Sequence, residues 1–519
     1  MESKKYSILW VDDEIELLRP HILFLEEKGY RVTPVTNAAD ALQLVPVEKF
    51  DLVLLDEQMP GMDGLTALQE IKELKPVLPI VMLTKSEEEQ LMEQAIGAKI
   101  DDYLTKPVNP SQILLICKKL LEGKQLIEQK FSRNYAAEFM QLSTRLMGPL
   151  EWQDWIEIYQ KLSEWDIDLD EHTELGLRQT LFDQRRECNA EFAKFIENNY
   201  HHWLREKERP TLSVDIIPEF VLPRVKENKK TIFLVIDNLR LDQWLCIEPL
   251  LHPLFNISKD YYYSILPTAT PYSRNAIFAG LFPAEIEKEY PELWKDSDDD
   301  ESSLNKFEGE LMDNLLKREQ VEVKPGLKYL KIINNRDARQ AERQIGSLAD
   351  LPLVAMVVNF VDILAHSRSD SEVLREIIPD ESAYRSLTKS WFTHSWVYRI
   401  LQELAARGNT VVLTSDHGSI RGMRGAKVLG DKHASTNLRY KYGRNLKCDS
   451  KNAIAVKDPA AYKLPRRALN TNFIIAKEDY YFVYPTNYNH YLNYYRDSLQ
   501  HGGVSMEEMI LPIVTLDPK

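Results

Sequence analysis

Leu52–Gly64 reads LVLLDEQMPGMDG, an apolar run that ends in Asp56 and then breaks at Pro60, Gly61 and Gly64. A short run without polar alternation, bounded by turn residues, is the mark of a strand buried on both faces. The pattern recurs on either side. Ser7–Val11 runs into Asp12 and Asp13, Ile80–Leu83 runs into Thr84, and a weaker run, Asp101–Leu104, precedes Lys106 and Pro107 in YLTKP. Amphipathic stretches separate these runs, so the first 120 or so residues are expected to be βα units around a parallel sheet.

In such a sheet, residues just past the strand ends gather at one edge. That edge would hold Asp12, Asp13, Asp56, Thr84 and Lys106. Three carboxylates there repel one another unless a hard cation such as Mg²⁺ sits among them. A carboxylate beside Mg²⁺ can take up a phosphoryl group, with Lys106 and Thr84 placed for its oxygens. Singly, Asp12 and Asp13 would pass for helix caps; the ordered set of five favours phospho-acceptor chemistry. The segment from about residue 5 to 120 resembles the receiver domain of two-component response regulators, which are flavodoxin-like. The resemblance implies phosphorylation on Asp56, Mg²⁺ binding by Asp12, Asp13 and Asp56, Thr84 as the switch hydroxyl, Tyr103 as the switch aromatic and Lys106 as the phosphate contact.

The chain has 519 residues, and at about 150 residues per domain it suggests some three units. Its 44% hydrophobic and 28% charged residues exclude a disordered, collagen-like or membrane-embedded chain. A net charge of −15 disfavours duplex DNA as a partner. Cys117, Cys188, Cys246 and Cys448 form no CxxC pair, so no disulfide framework or zinc knuckle is indicated. No run is long enough to span a bilayer, and a cytoplasmic location is expected. Residues 121–225 repeat large apolar side chains at helical spacing, as in Trp152, Trp155, Ile156 and Tyr159, and read as a helical bundle closed by Pro210, Pro218 and Pro223. From 226 to 519 the βα pattern returns, with strands expected at Thr231–Ile236, Tyr261–Leu266, Leu353–Phe360 and Thr410–Thr414. An acidic stretch, Asp296–Glu301, reads as a solvated loop.

This last part carries a scattered constellation. Asp237 ends IFLVID. Thr270 lies in LPTATPYSRNAIFAGLFP. Asp362 and His366 are one helical turn apart in VDILAH, Asp416 and His417 end the strand of VVLTSDHG, and His501 precedes two glycines. Three Asp, three His and one Thr at strand ends could hold two borderline metal ions, zinc before others, and such a pair polarises a phosphoryl group. The pattern resembles the alkaline phosphatase superfamily, and within it PglZ-type domains. The PTATPYSRNAIFAGLFP segment is similar to the nucleophile segment of that superfamily's nucleotide pyrophosphatase/phosphodiesterases. By that resemblance Thr270 rather than Thr268 is the nucleophile. One zinc ion is held by Asp237, Asp416 and His417 with Thr270 bridging, and a second by Asp362, His366 and His501. The phosphodiesterases keep an Asn two residues after the nucleophile's proline neighbour, where this chain has Ser273 and Arg274. The oxyanion partner is therefore unassigned, and Arg274 either contacts phosphate or pairs with an acidic neighbour.

The order of receiver, helical segment and PglZ-like domain resembles the PorX-type response regulators associated with type IX secretion in Bacteroidota. That resemblance implies a sensor histidine kinase, a link to a sigma factor, and dimerisation on phosphorylation through the face near residues 85–116. Eight basic residues between Arg421 and Lys447, among them Lys432, Arg439 and Arg444, follow the Asp416–His417 pair and suit an anionic substrate longer than one phosphate. Seven tyrosines between Tyr480 and Tyr495 could stack bases or pack on the core. The expected fold is multidomain α/β: receiver, central helical bundle and an alkaline-phosphatase-type domain with a mostly parallel sheet. The expected activity is a zinc-dependent phosphodiesterase acting on nucleotide or oligonucleotide phosphodiesters, cyclic ones included. The alternative is a non-enzymatic regulator whose PglZ-like domain binds a sigma factor or secretion component. A DNA-binding output is a poor third, since no helix-turn-helix unit follows the receiver.

Overall fold

A computed structural model describes residues 6–85, 100–171, 176–294, 305–430, 435, 437–466 and 470–519. The acidic stretch Asp296–Glu301, Lys432 and much of the expected switch face, residues 86–99, lie outside the described residues. The chain divides into two compact units, Met1–Glu138 and Phe139–Lys519.

In the first unit, β1 (Ser7–Val11), β2 (Arg31–Val35), β3 (Leu52–Asp56), β4 (Ile80–Thr84) and β5 (Asp102–Thr105) form one sheet in the order β2-β1-β3-β4-β5. Every pairing is parallel. This is the flavodoxin-like order, in which the chain reverses direction across the sheet at β1 and β3. Strands β3 and β4 are buried throughout because helices cover both faces, which is why their sequences are unbroken apolar runs. Strand β2, RVTPV, was missed because polar residues interrupt it; it lies at the sheet edge, where the ladder tolerates Pro34. The Asp63 side chain caps the helix Gly64–Leu74 by accepting from the Thr66 amide. Gly64 is required there: a Cβ would meet the Asp56 carbonyl oxygen at 2.2 Å.

The second unit is built on a six-stranded sheet. Its strands are β6 (Thr231–Ile236), β7 (Phe255–Tyr263), β8 (Lys328–Ile332), β9 (Leu353–Val358), β10 (Thr410–Thr414) and β11 (Ile510–Pro518). The order is β7-β11-β10-β6-β9-β8. Strands β8, β9, β6 and β10 run parallel, whereas β11 is antiparallel to both β10 and β7. The sheet is thus mixed, with an antiparallel edge. The strand expected at Tyr261–Leu266 is instead Phe255–Tyr263, because alternating polar residues such as Asn256, Ser258 and Asp260 still pair with β11 at that edge. Smaller sheets formed by Ile420–Gly422 with Ser498–Gln500, and by Tyr440–Arg444, Thr471–Ala476 and Ala453–Val456, pack beyond it.

The helical segment does not stand as a separate compact body. Helices Trp152–Glu171 and Arg178–Trp203 belong to the second unit. Their aromatic faces supply the first reason: Phe192 and Trp203 pack on Tyr263 of β7, and Trp155 packs on Phe192. Buried charge supplies the second. Arg385, 1% exposed, pairs with Asp166 at 2.7 Å, Asp170 at 2.7 Å and Asp242 at 3.2 Å. Glu507 accepts from Asn189 at 2.9 Å.

Candidate functional site

At the C-terminal edge of the receiver sheet, donor oxygens of Asp12, Asp13 and Asp56 lie within 4.8 Å of one another. Asp12 and Asp56 are buried and Asp13 is exposed. Lys106 Nζ is 2.7 Å from Asp12 and 2.8 Å from Asp56. Burial pushes the Asp56 carboxyl up, against the pull of Lys106, and Asp12 and Asp13 push it further. One ammonium does not balance three carboxylates, so the set suits a hard divalent cation such as Mg²⁺. The Thr84 hydroxyl donates to Glu57, a residue the sequence reading passed over. Tyr103 is exposed.

In the second unit the expected ligands converge from five segments. Asp237 follows β6 and Asp416–His417 follow β10, adjacent strands of the sheet. Asp362 and His366 share one face of the helix Phe360–Asp370, and His501 follows the strand Ser498–Gln500. His366 Nε2 is 3.4 Å from Asp362 Oδ1 and 3.2 Å from His501 Nε2, and His501 Nε2 is 3.8 Å from the same Oδ1. Ligand atoms about 2.0 Å from a tetrahedral zinc lie about 3.3 Å apart, so this set fits. The two imidazole nitrogens either share a proton in a hydrogen bond or, with the carboxylate, serve as ligands to one cation.

The second set is fully buried. His417 Nε2 is 3.6 Å from Asp237 Oδ1 and 3.8 Å from Asp416 Oδ2. Asp237 Oδ1 and both Asp416 carboxylate oxygens are buried with no hydrogen-bond partner among the described residues. Orphaned carboxylate oxygens at that depth are costly unless a metal or a proton takes them. Burial pushes the Asp237 carboxyl well above its ordinary range; Arg274 opposes this and Asp416 adds to it. The two sets are neighbours: the His417 and His501 rings stack at 4.1 Å, and His417 is also within 4.8 Å of Asp362 and His501.

Thr270 begins the helix Thr270–Ala279, with Pro271 next, a favoured residue at a helix start. Its Oγ1 is 2.9 Å from His417 Nε2. Thr268 is fully buried, donates to the Gly503 carbonyl and accepts from the Gly502 amide, so it ties the nucleophile segment to the His501 loop. Around Asp416 the backbone is pinned by Ser264, Tyr262 and Ser415. Gly418 allows the Glu507 carbonyl to lie where a Cβ would meet it at 2.0 Å.

Several expected phosphate contacts are corrected. Arg274 resolves toward its acidic neighbours: Nη1 is 2.8 Å from Asp237 and Nε 2.7 Å from Glu308, with all three side chains at most 1% exposed. Arg439 is buried against Glu508 and donates to backbone carbonyls, so it presents nothing to a ligand. Arg421 and Arg424 pair with Asp497, Glu478 and Asp479, and buried Lys441 donates to the Ser435 carbonyl. Of the basic run, Arg439 and Lys441 are internal, Arg421 and Arg424 are half-buried in ion pairs, and Lys427, Arg444 and Lys447 are exposed. Of the tyrosine-rich run, the strand Tyr480–Val483 is largely buried, while the helix Tyr488–Tyr495 buries no residue.

Sequence reasoning missed Asn238, Asn359 and Glu308. Asn238 Nδ2 donates to Asp362 at 3.2 Å, and Asn359 Nδ2 donates to Asp237 at 3.0 Å. Glu308, which also pairs with Lys331 at 3.1 Å and accepts from Tyr329, belongs to no motif. Only the position of the asparagines beside ligand segments could have marked them.

A parallel-sheet receiver followed by two adjoining clusters of candidate metal ligands with an adjacent threonine defines a response regulator joined to an alkaline-phosphatase-type domain. Family models agree. A response regulator receiver domain matches residues 8–118, a PorX response regulator linker domain 125–204, and a BREX system PglZ alkaline phosphatase-like domain 217–516. The chain belongs to the PglZ alkaline phosphatase-like family, carried behind a receiver and a PorX-type linker. Among curated proteins it is similar to the phosphoglycerate transport system transcriptional regulatory protein PgtA of Salmonella typhimurium, at 29% identity over 168 residues, 32% of this chain and 40% of that one. It is also similar to the transcriptional regulatory protein ResD of Bacillus subtilis, at 37% over 120 residues, 23% of this chain and 50% of that one. The chain thus spans half or less of these relatives' lengths. Among solved structures, a receiver domain protein from Methanospirillum hungatei is 30% identical, with a TM-score of 0.23, covering 24% of this chain and 98% of that one. The Vibrio cholerae chemotaxis protein CheY4 is 25% identical, with a TM-score of 0.22, covering 22% and 99%. No described helix is long and apolar enough to cross a membrane.

Proposed function

We propose that this protein is a phosphorylation-controlled, zinc-dependent phosphodiesterase with Thr270 as nucleophile, acting on nucleotide or oligonucleotide phosphodiesters, cyclic ones included. The observation that carries the reading is the Thr270 hydroxyl, part-buried and 2.9 Å from His417 Nε2, beside both ligand sets. Asp237, Asp416 and His417 would hold one zinc ion, and Asp362, His366 and His501 the other. When bound, the metals supply Lewis-acid stabilisation of the phosphoryl oxygens and a lowered pKa for the attacking and leaving groups. The helix beginning at Thr270 directs its positive N-terminal end at the phosphate. Thr270 Oγ gives up its proton and forms a bond to phosphorus as the bond to the leaving alkoxide breaks, and the alkoxide takes up a proton from water. Water then attacks phosphorus, giving up a proton, and Thr270 departs and regains its hydroxyl proton. The His366 side chain is 51% exposed, so substrate enters from the Asp362–His366–His501 side.

A diester is favoured over a monoester by charge. Arg274 is held by Asp237 and Glu308, so this cation is not offered to a dianionic phosphate. In the receiver, Asp12, Asp13 and Asp56 would hold Mg²⁺, and a sensor histidine kinase is the phosphoryl source. Phosphorylation of Asp56 would engage Thr84 and Tyr103 and favour a homodimer. A sigma factor and type IX secretion are the expected downstream connections, in the cytoplasm.

The test is hydrolysis of bis-p-nitrophenyl phosphate with added zinc by the native chain and by Thr270→Ala. The variant should lose at least about a hundredfold in kcat. Absence of turnover in the native chain with zinc bound would overturn the enzymatic reading in favour of a binding regulator.

A further inference from the structure

We propose that Asn238 and Asn359 form a crossed brace between the two metal positions, each anchored beside one ligand set and gripping the other. The inference rests on the two-metal reading above. Asn238 directly follows Asp237, yet its amide donates 3.2 Å to Asp362 of the opposite set. Asn359 sits three residues before Asp362, yet its amide donates 3.0 Å to Asp237. A carboxylate can only accept, so the Nδ2 atoms must face these oxygens.

Both residues are placed at local expense. Asn238 is fully buried and has φ of 65°, a left-handed conformation that non-glycine residues adopt rarely and that Asn tolerates best. Asn359 occupies the N-cap position of the helix Phe360–Asp370, where Asn normally caps through its side chain. Here it makes no cap hydrogen bond. The Oδ1 atoms of both are buried without a hydrogen-bond partner among the described residues. Neither side chain serves its own segment; each serves the ligand across the site.

Asp237 shows the division of labour. Its Oδ2 accepts from Asn359 and Arg274, which leaves Oδ1 facing His417 Nε2 at 3.6 Å. Asn359 thereby selects which oxygen is presented to the metal. Asn238 acts differently on Asp362: it donates to Oδ1, the same oxygen that faces His366 and His501, and so fixes the position of the presented oxygen itself. The strands β6 and β9 that lead into the two asparagines are hydrogen-bonded neighbours along their whole length, so the brace spans a rigid base. Asn238 and Asn359 are positioning residues: they orient first ligands, and outer partners of this kind typically change metal affinity about 10–100-fold.

The brace makes a crossed prediction that local damage would not. Full-length Asp416→Ala keeps the Asp362–His366–His501 position alone, and His366→Ala keeps the Asp237–Asp416–His417 position alone. Zinc affinity is measured in each by competition with a chromophoric chelator. Asn238→Gly suits the positive φ, and Asn359→Ala removes no cap. In the Asp416→Ala background, Asn238→Gly should weaken zinc about 10–100-fold and Asn359→Ala should leave it within about twofold. In the His366→Ala background the two variants should exchange effects. With cobalt(II), the visible band should shift only for the position across the brace. Metal-free melting temperatures report whether the variants fold. Losses on the near side, or equal losses at both positions, would overturn the brace while leaving the metal reading intact. Failure of the parent chains to bind zinc would overturn both.

Discussion

Replacing Arg385 with Met tests whether the linker helices and the phosphatase-like domain are one folding unit. The guanidinium is 1% exposed and joins Asp166 and Asp170 of the linker helix Trp152–Glu171 to Asp242 of the helix Leu241–Leu251. Met fills similar volume without charge. Asp242 keeps Arg240 at 2.7 Å, while Asp166 and Asp170, 15% and 22% exposed, each lose a short ion pair and keep a second one, to Arg185 at 3.1 Å and Arg178 at 2.9 Å. Breaking a buried pair costs about 3–5 kcal/mol, and the partial exposure of two partners places this one near about 3 kcal/mol. A unit the length of Phe139–Lys519 unfolds with an entropy of roughly 0.8 kcal/mol/K, so Tm should fall by about 4 °C. The assay is differential scanning calorimetry of the full chain. Adding Asp166→Asn and Asp170→Asn to Arg385→Met also breaks the pairs with Arg185 and Arg178, so it should restore less than half of the loss. A fall under about 1 °C, or a separate linker transition in the native chain, would refute the reasoning.

Three further outcomes are expected. Glu308→Gln, which leaves Arg274 to Asp237 and Asp416 alone, should lower kcat for a diester more than it raises KM; an unchanged kcat would show that Glu308 only packs. Burial would raise the Asp242 carboxyl, but Arg240 and Arg385 outweigh it and hold it below the usual carboxylate range. Its stabilisation is therefore present above the unfolded value of about 3.9 and lost as pH falls through the depressed folded value. Denaturant midpoints between pH 2 and 5 should accordingly fall less steeply for Asp242→Asn than for the native chain, and parallel curves would contradict the assignment. In the receiver, Glu57 engages the Thr84 hydroxyl. A hydrogen bond to a carboxylate of about 1.5 kcal/mol corresponds to about tenfold, so Glu57→Ala should tighten beryllofluoride binding by that factor, and weaker binding would mean that Glu57 supports the phosphorylated state.

The sequence by itself determined the receiver and the identity of the metal-binding candidates. Strand-end carboxylates after unbroken apolar runs, as at Asp56, Asp237 and Asp416, are legible because a parallel sheet gathers such ends at one edge. Helical spacing likewise placed Asp362 and His366 together. What surrounds the ligands was decided only by tertiary structure. Arg274 and Arg439 look alike in sequence to phosphate-binding arginines, and only the approach of Glu308 and Glu508 from distant segments turns them inward. Asn238 and Asn359 carry no motif, because their partners lie more than a hundred residues away, at 3.2 and 3.0 Å. The linker's membership in the second unit was hidden for the same reason. Helical periodicity shows which face is apolar, and not what covers it; the aromatic contacts to Tyr263 and the Arg385 ion pairs depend on chain segments that meet only in the folded state.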